Sequence, residues 1–256
     1  MSILVEKTPE KITKIIFNRP EKRNSLNLEI IDQLIETLRS LLDDVETRVV
    51  IISGKGSVFS AGGDINEMPS RFGKALVTKN RLDQGLSQIV RLIRQIPRPV
   101  VAKVKGACFG AGFVIATACD VIYTTKDTKY GFTFGTVGLI PEASYFMARS
   151  LGLHKAKELF FSRAVVTGEQ AMKMNFVNEL FNEEDIDKKV DEIAKTWAMG
   201  PVETMGLAKE VLNRAYESTL DEQLKFEALA QGVAFTTLEH KEGVNAFLEE
   251  RKAKFF

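Results

Sequence analysis

The sequence of 256 residues is poor in cysteine and histidine and carries almost no net charge. Its two cysteines, Cys108 and Cys119, cannot form a disulfide framework or a four-thiolate zinc site. Both stand in apolar sequence, which favours buried free thiols in a reducing compartment. The 35 Lys and Arg against 34 Asp and Glu leave a charge of +1. That balance gives no electrostatic reason to expect a nucleic acid or a membrane as partner.

Long hydrophobic runs are also missing. The longest uncharged stretch, 106–119, is interrupted by glycine and is shorter than the roughly 20 residues that span a bilayer. The first residues, MSILVEKTPEKI, lack a cationic region followed by an apolar one, and the last, RKAKFF, carry neither a prenylation box nor Ser-Lys-Leu. We therefore expect a soluble cytoplasmic protein.

What the chain does contain is typical of a globular α/β protein. The length allows one large domain or one domain with an appendage. Strands are predicted at 12–17, 49–53, 100–104 and 120–125, because these runs are rich in β-branched residues. Between the strands, apolar side chains recur at helical spacing, and this predicts helices at 28–45, with Asn27 as N-cap, 86–96 and 110–119. Strand, helix and strand in this order indicate parallel βαβ units.

Beyond about residue 155 the chain is predicted to turn helical, and its last 55 or so residues are predicted to be all-helical. Pro201 is expected as the first residue of one of these helices, and Thr219 with Glu222 as the capping box of the next. The predicted helices are 155–162, 168–174, 186–199, 201–216, 220–238 and 240–253.

Two loops are dense in glycine: SGKGSVFSAGGDI at 53–65 and KGACFGAG at 105–112. Neither has the spacing of a P-loop or of a dinucleotide-binding fingerprint. These glycines can serve as tight turns and helix–sheet contacts. They can also expose backbone N–H groups that converge on one oxygen, in which case Gly63 and Ala111 supply the donors of an oxyanion hole.

Six segments in order resemble the enoyl-CoA hydratase/isomerase family, the crotonases, over nearly the whole chain. They are FNRPEKRNSLN (17–27), FSAGGDI (59–65), RPVVAKVKGACFGAG (98–112), CDVIY (119–123), GLIPE (138–142) and HKEGVNAFLEERKAKF (240–255). The resemblance implies an α/β spiral of ββα units over 1–199 and a helical oligomerisation region over 200–256, which builds trimers or dimers of trimers. It also implies an acyl-CoA thioester substrate whose carbonyl lies between the N–H groups of Gly63 and Ala111.

The chemistry within this family is indicated by three positions. The hydratases carry two glutamates, and here those positions hold Val114 and Phe134, which cannot transfer protons. One carboxylate remains, Glu142, at the position where peroxisomal-type Δ3,Δ2-enoyl-CoA isomerases carry their base. Moving a double bond needs only one base, which takes a proton from C2 and returns it to C4. The sequence thus favours an enoyl-CoA isomerase with Glu142 as the catalytic base.

Other side chains are expected to bind the substrate, to organise a loop or to lie at the surface. The pocket for the acyl chain is expected from apolar residues that can equally be plain core, namely Phe113, Val114, Phe132, Phe134 and Phe146. The resemblance implies that coenzyme A is contacted by Lys22, Arg23, Ala61, Lys252 and Lys254. For the four basic residues, a solvated charge at the surface is the alternative. Asp64 is read as organising its loop, and His154 and His240 as surface residues.

No metal and no cofactor is expected, since coenzyme A arrives as part of the substrate. Two alternatives stay open: a hydratase with its carboxylate from elsewhere and a non-catalytic acyl-CoA binder. A third, an RNA-binding member of the family, is disfavoured. The last requires a lysine-rich helix, whereas the predicted helix at 28–46 is acidic.

Overall fold

Two β-sheets organise residues 1–255, which the computed structural model describes. In the larger sheet the strand order is β1 (Ile3–Lys7), β2 (Ile12–Phe17), β3 (Val49–Gly54), β4 (Val100–Val104), β6 (Val121–Thr125) and β9 (Glu179–Phe181). The smaller sheet has the order β5 (Ala107–Phe109), β7 (Lys129–Gly131) and β8 (Val165–Thr167). Strand β1 runs antiparallel to β2, and the other neighbours in the larger sheet are parallel.

Successive segments alternate between the two sheets. Strand β4 lies in the larger sheet and β5, which follows it, in the smaller one, and β6 and β7 repeat this arrangement. The helices are α1 (Leu28–Ser40), α2 (Ala75–Gln84), α3 (Leu86–Gln95), α4 (Gly110–Ala118), α5 (Ser144–Leu151), α6 (Leu153–Phe161), α7 (Gly168–Lys173), α8 (Ile186–Ala198), α9 (Val202–Arg214), α10 (Leu220–Ala234) and α11 (Leu238–Leu248). This confirms the expected α/β spiral followed by C-terminal helices.

The main core lies between the larger sheet and helices α1, α3 and α4, and a second cluster packs α8 on the opposite face. Helix α1 begins as predicted, because the Asn27 side chain accepts a hydrogen bond from the Ile30 N–H at 3.1 Å. It ends at Ser40, earlier than predicted, and Val45 is 75% exposed. The reason is Asp44, whose carboxylate accepts the N–H groups of Glu46 and Thr47 and holds a turn there.

As predicted, the chain beyond residue 155 is mostly helical, and within the described residues the regular elements after residue 200 are all helices, but two short strands between residues 155 and 200 were not predicted. Strands β8 and β9 lie in that region, and both are three-residue strands too short for a period-2 pattern to show. Helices α2 and α5 were not predicted. Pro201 is the N-cap of α9 rather than its first residue, whereas the capping box of Thr219 and Glu222 is confirmed. The last three helices end earlier than expected, at Arg214, Ala234 and Leu248.

Both cysteines are buried free thiols, as predicted. Burial raises the pKa of each thiol above its ordinary value, so neither is poised to act as a thiolate nucleophile. Within residues 1–255, no helix combines the length and the apolar character that a bilayer crossing requires.

Candidate active site

The two glycine-rich loops lie side by side. The Ser60 N–H donates to the Ala107 carbonyl and the Phe109 N–H to the Ser60 carbonyl, each at 3.0 Å. A methyl group built on Gly62 would lie 3.0 Å from the Phe109 carbonyl oxygen, and Gly62 has φ +98°, so only glycine fits there. The loop after β3 is therefore held directly against the loop that opens α4.

Gly63 and Ala111 each present a free N–H at this junction. The Leu26 N–H donates to the Gly62 carbonyl, and the Leu26 carbonyl accepts the Asp64 N–H. This pairing leaves the Gly63 N–H on the other side of its loop. Ala111 is the second residue of α4, so its N–H has no carbonyl one turn earlier. A methyl group built on Gly110 would lie 3.9 Å from the Gly63 nitrogen. The structure thus brings both predicted donors to one place, at the positive end of a helix dipole.

Two residues that sequence reasoning missed hold this arrangement. The Ser60 hydroxyl donates to the Asn24 carbonyl at 2.8 Å and accepts the Gly62 N–H at 3.1 Å. Asn24 is fully buried, and its amide donates to the carbonyls of Lys55 and Val58 at 3.0 and 2.8 Å. Both stand in the segments quoted above, but nothing in the sequence distinguishes a loop-bracing Asn or Ser from a solvated one.

Asp64 braces the same loop. Its carboxylate accepts the backbone and side-chain N–H groups of Asn66 and contacts the Arg19 guanidinium at 3.4 Å. Partial burial alone would raise the pKa of Asp64, but these hydrogen bonds outweigh it and the pKa lies below its usual value. A carboxylate committed to its own loop in this way fits the organising role read from the sequence.

Glu142 stands in the turn before α5, next to the fully buried Ala143. Within the described part of the chain its carboxylate has no hydrogen bond and no ion pair. The side chain is exposed, yet nearby protein atoms partly desolvate the carboxyl and raise its pKa, while the positive charge of Arg71 lowers it by a smaller amount. A carboxyl of raised pKa and without a structural partner is suited to accept and return a proton.

One short segment connects the donor loop to this carboxylate. After Gly63 the chain makes two 3₁₀ turns, 65–67 and 69–71. The Met68 methyl lies 3.8 Å from the place where a side chain on Gly63 would begin. Arg71, at the end of the second turn, is near enough to Glu142 to shift its pKa. The segment 63–71 therefore runs along one side of the site.

The positions where the hydratases carry glutamates are apolar and buried in this protein. Val114 is 1% exposed and Phe134 is 6% exposed. Within residues 1–255, no three His, Cys, Asp or Glu side chains come together in a way that could hold a metal ion.

The aromatic side chains expected in the acyl pocket divide into two groups. Phe113 and Phe132 are almost completely buried, with ring centroids 5.0 Å apart, and pack on Phe176 as core. Phe146, on α5, is half-buried and borders a cavity of about 200 Å³ that also touches Phe113. The pocket role of these residues stays a prediction.

The residues expected to contact coenzyme A fall in two places. Lys22 and Arg23 are exposed, and the Ala61 N–H donates to the Arg23 carbonyl at 2.9 Å, so these three adjoin. Lys252 and Lys254 are exposed on the tail, where the Lys254 N–H donates to Glu242 of α11 at 2.7 Å. Within the described residues, no hydrogen bond or ion pair joins the two groups.

The histidines lie away from these loops. His154 is exposed, and the ring of His240 packs on Phe235 with centroids 4.3 Å apart. Neither contacts Gly63, Ala111 or Glu142.

The chain is similar to known proteins over nearly its whole length. Residues 7–256 match the family model described as enoyl-CoA hydratase/isomerase. The chain is 29% identical to the 1,2-epoxyphenylacetyl-CoA isomerase of Escherichia coli, covering 100% of this chain and 98% of that protein. It is 30% identical to the crotonyl-CoA hydratase of Syntrophomonas wolfei, covering 99% and 97%. Among solved structures, an enoyl-CoA hydratase from Polaromonas has a TM-score of 0.92 at 29% identity, with 98% of each chain covered. One from Mycobacterium smegmatis has a TM-score of 0.94 at 22% identity, covering 100% of this chain and 99% of that one, which speaks for the fold alone.

Proposed function

Because the chain belongs to the enoyl-CoA hydratase/isomerase family, whose members act on acyl-CoA thioesters, we propose that it is an isomerase converting Δ3- to Δ2-enoyl-CoA. The observation that carries the proposal is Glu142. It is an exposed carboxylate without a structural partner, whose pKa is raised by desolvation from nearby protein atoms, in a protein whose hydratase positions hold Val114 and Phe134.

The reaction needs one base and one oxyanion hole. The thioester carbonyl accepts the N–H groups of Gly63 and Ala111, which acidifies the protons at C2. Glu142 removes a proton from C2, and the electrons pass through the carbonyl to give a dienolate whose negative oxygen is stabilised by the two donors. The same carboxyl returns the proton to C4, and the double bond then lies between C2 and C3. No water is consumed.

The magnitudes are adequate. An oxyanion donor contributes about 10²–10³ in rate and a positioned base about 10²–10⁴. Orientation of the substrate through its coenzyme A moiety adds to this. For that moiety we propose contacts with Lys22, Arg23, Ala61, Lys252 and Lys254, and for the acyl chain the apolar residues Phe113, Val114, Phe132, Phe134 and Phe146.

A second isomerisation is favoured by one comparison. The similarity to the 1,2-epoxyphenylacetyl-CoA isomerase extends over the whole chain, so an epoxide-bearing acyl-CoA is an alternative substrate for the same base. Hydration is supported by the names of other relatives, but it would require a second proton-transfer group that we do not find beside Glu142. A non-catalytic acyl-CoA binder would need no base at all.

We also propose that the protein is a homo-oligomer, a trimer or a dimer of trimers, assembled through the helices of 200–256. These helices leave large apolar side chains exposed, as an interface between copies would require. The most exposed among them are Leu212, Tyr216, Leu220, Leu229, Phe235, Leu238, Phe247 and Leu248.

A paired assay tests the proposed reaction. Purified protein is given trans-3-hexenoyl-CoA, followed by the absorbance of the conjugated thioester, and crotonyl-CoA, followed by the loss of that absorbance. We expect conjugation to appear, hydration to stay near background, and Glu142→Gln to lower kcat by about 10²–10⁴ while the ester still binds. The control is Glu36→Gln, an exposed residue of α1.

Three outcomes would contradict the proposal. Rapid hydration would show that Val114 and Phe134 do not disable water addition. Unchanged isomerisation in Glu142→Gln would remove that residue as the base. Binding without either reaction would identify a binder or a different reaction.

A further inference from the structure

Arg71 is a polar side chain for which the protein supplies no acceptor. It is the last residue of the 3₁₀ turn 69–71, and its backbone N–H donates to the Met68 carbonyl at 3.0 Å. The side chain is half-buried, and its Nε is buried and has no hydrogen-bond partner. No carboxylate of the described residues lies within 4.0 Å of its guanidinium.

Neighbouring arginines do have such partners. Arg81, ten residues further along, pairs with Glu67 at 2.5 Å, and Arg19 pairs with Asp64 at 3.4 Å. A buried donor left without an acceptor costs stability. The exception at Arg71 therefore points to an acceptor that arrives with a ligand.

The position of Arg71 indicates which part of the ligand this is. The segment that carries it begins at Gly63, the proposed donor for the thioester carbonyl, and the Met68 methyl within it lies 3.8 Å from the β-position of Gly63. Arg71, at its end, is near enough to Glu142, the proposed base, for its charge to act on that carboxyl. The basic residues that we assign to coenzyme A, Lys22 and Arg23, precede α1 instead. A ligand atom that reaches Arg71 therefore belongs to the acyl group, beyond the carbons that exchange protons with Glu142.

We propose that Arg71 binds a carboxylate at the far end of the acyl chain, so that the preferred substrates are monothioesters of unsaturated dicarboxylic acids. This inference rests on the proposed function, because that function places the acyl chain beside Glu142. A guanidinium has five N–H donors in a planar fork, enough to bind a substrate carboxylate while its charge still acts on Glu142.

The charge of Arg71 also favours the binding of this substrate class over uncharged acyl chains. A hydrocarbon chain entering the site would displace water from Arg71 and leave its donors unpaired, which disfavours binding. A carboxylate would give those donors a charged, bidentate partner. Because hydrogen bonds to charged groups are strong, the carboxylated acyl chain should bind about tenfold to hundredfold more tightly than the uncharged one.

Calorimetric titration with saturated esters tests the inference without any catalysis. The probes are two matched pairs, hexanoyl-CoA with adipoyl-CoA and butyryl-CoA with succinyl-CoA, so that chain length is sampled. In the wild-type protein we expect at least one carboxylated ester to bind about tenfold more tightly than its neutral partner. Arg71→Met should abolish this preference, and Arg71→Lys should keep part of it. Lys74→Met, at an exposed residue three positions further along the chain and with the same change of charge, should leave it unchanged.

Equal affinities within both pairs, or a preference that survives Arg71→Met, would overturn the inference. Since these esters carry no double bond, either result is independent of the isomerase assay. Failure of that assay with a preserved Arg71-dependent preference would reject the proposed reaction and keep the carboxylate site.

Discussion

Gly112→Ala tests whether close contact between the two loops positions the oxyanion donors. Gly112 follows Ala111 in the first turn of α4. A methyl group built there would lie 2.6 Å from the Ser60 Cβ and 2.8 Å from its hydroxyl oxygen. Non-bonded carbon atoms pack at about 3.5–4.0 Å, so the contact is too short by roughly 1 Å.

Ser60 cannot yield to this methyl group. Its N–H and carbonyl bond to the other loop, and its hydroxyl bonds to Asn24 and Gly62. The first turn of α4 must therefore move away and carry the Ala111 N–H with it. Overpacking should lower the free energy of unfolding by about 1–3 kcal/mol. The better helix propensity of alanine offsets up to about 1 kcal/mol of this loss. A displacement of about 1 Å at the donor is expected to lower kcat by about 10²-fold.

Thermal unfolding and steady-state kinetics on the same preparations measure both effects. Gly232→Ala in α10 is the matched control, because nothing lies within 4 Å of the added methyl, and it should keep full activity. Ser60→Gly removes the opposing Cβ, so Gly112→Ala should cost less in that background. Wild-type kinetics in Gly112→Ala, or an equal cost in both backgrounds, would refute the reasoning.

Two further predictions concern stability. Lys209 is 8% exposed and its ammonium lies 2.9 Å from the Asp120 carboxylate. Lys209→Met leaves that carboxylate without its charged partner, so the free energy of unfolding measured in urea should fall by about 3 kcal/mol. A loss below about 0.5 kcal/mol would contradict this. Burial alone would raise the pKa of Asp44, but hydrogen bonds from Lys7, Thr47 and a backbone N–H lower it to about 2 from 3.8. The ionised form is thus favoured in the folded state, so the stability it provides, about 2 kcal/mol at neutral pH, should be lost as pH falls from about 4 to about 2. Unfolding measured against pH for wild type and Asp44→Asn should show curves that converge in that window, and parallel curves would contradict it.

Much of the fold could be predicted from local patterns. The parallel strands of the larger sheet are buried apolar runs, and the Asn27 cap is a local signal, so both appear in the sequence. Strands β8 and β9 could not be predicted, because strands of three residues show no period and form only when another strand is present. Helix α2 has no buried residue, so no apolar stripe marks it.

The candidate site divides in the same way. Gly63, Ala111 and Glu142 stand in local motifs and could be proposed from the sequence. The bracing by Asn24 and Ser60 depends on hydrogen bonds between residues 34 and 36 positions apart, which no spacing reveals. The unpaired guanidinium of Arg71 depends on the absence of a partner, which only a folded structure can show.

In the proposed reaction, one carboxyl of this protein moves a proton along the acyl chain without adding water. The mass and absorbance of the product formed from trans-3-hexenoyl-CoA in D₂O test it most directly. We expect a conjugated product of the substrate's own mass, apart from exchanged deuterium, and almost no product with Glu142→Gln. A product heavier by one water, or an undiminished yield with Glu142→Gln, would contradict it.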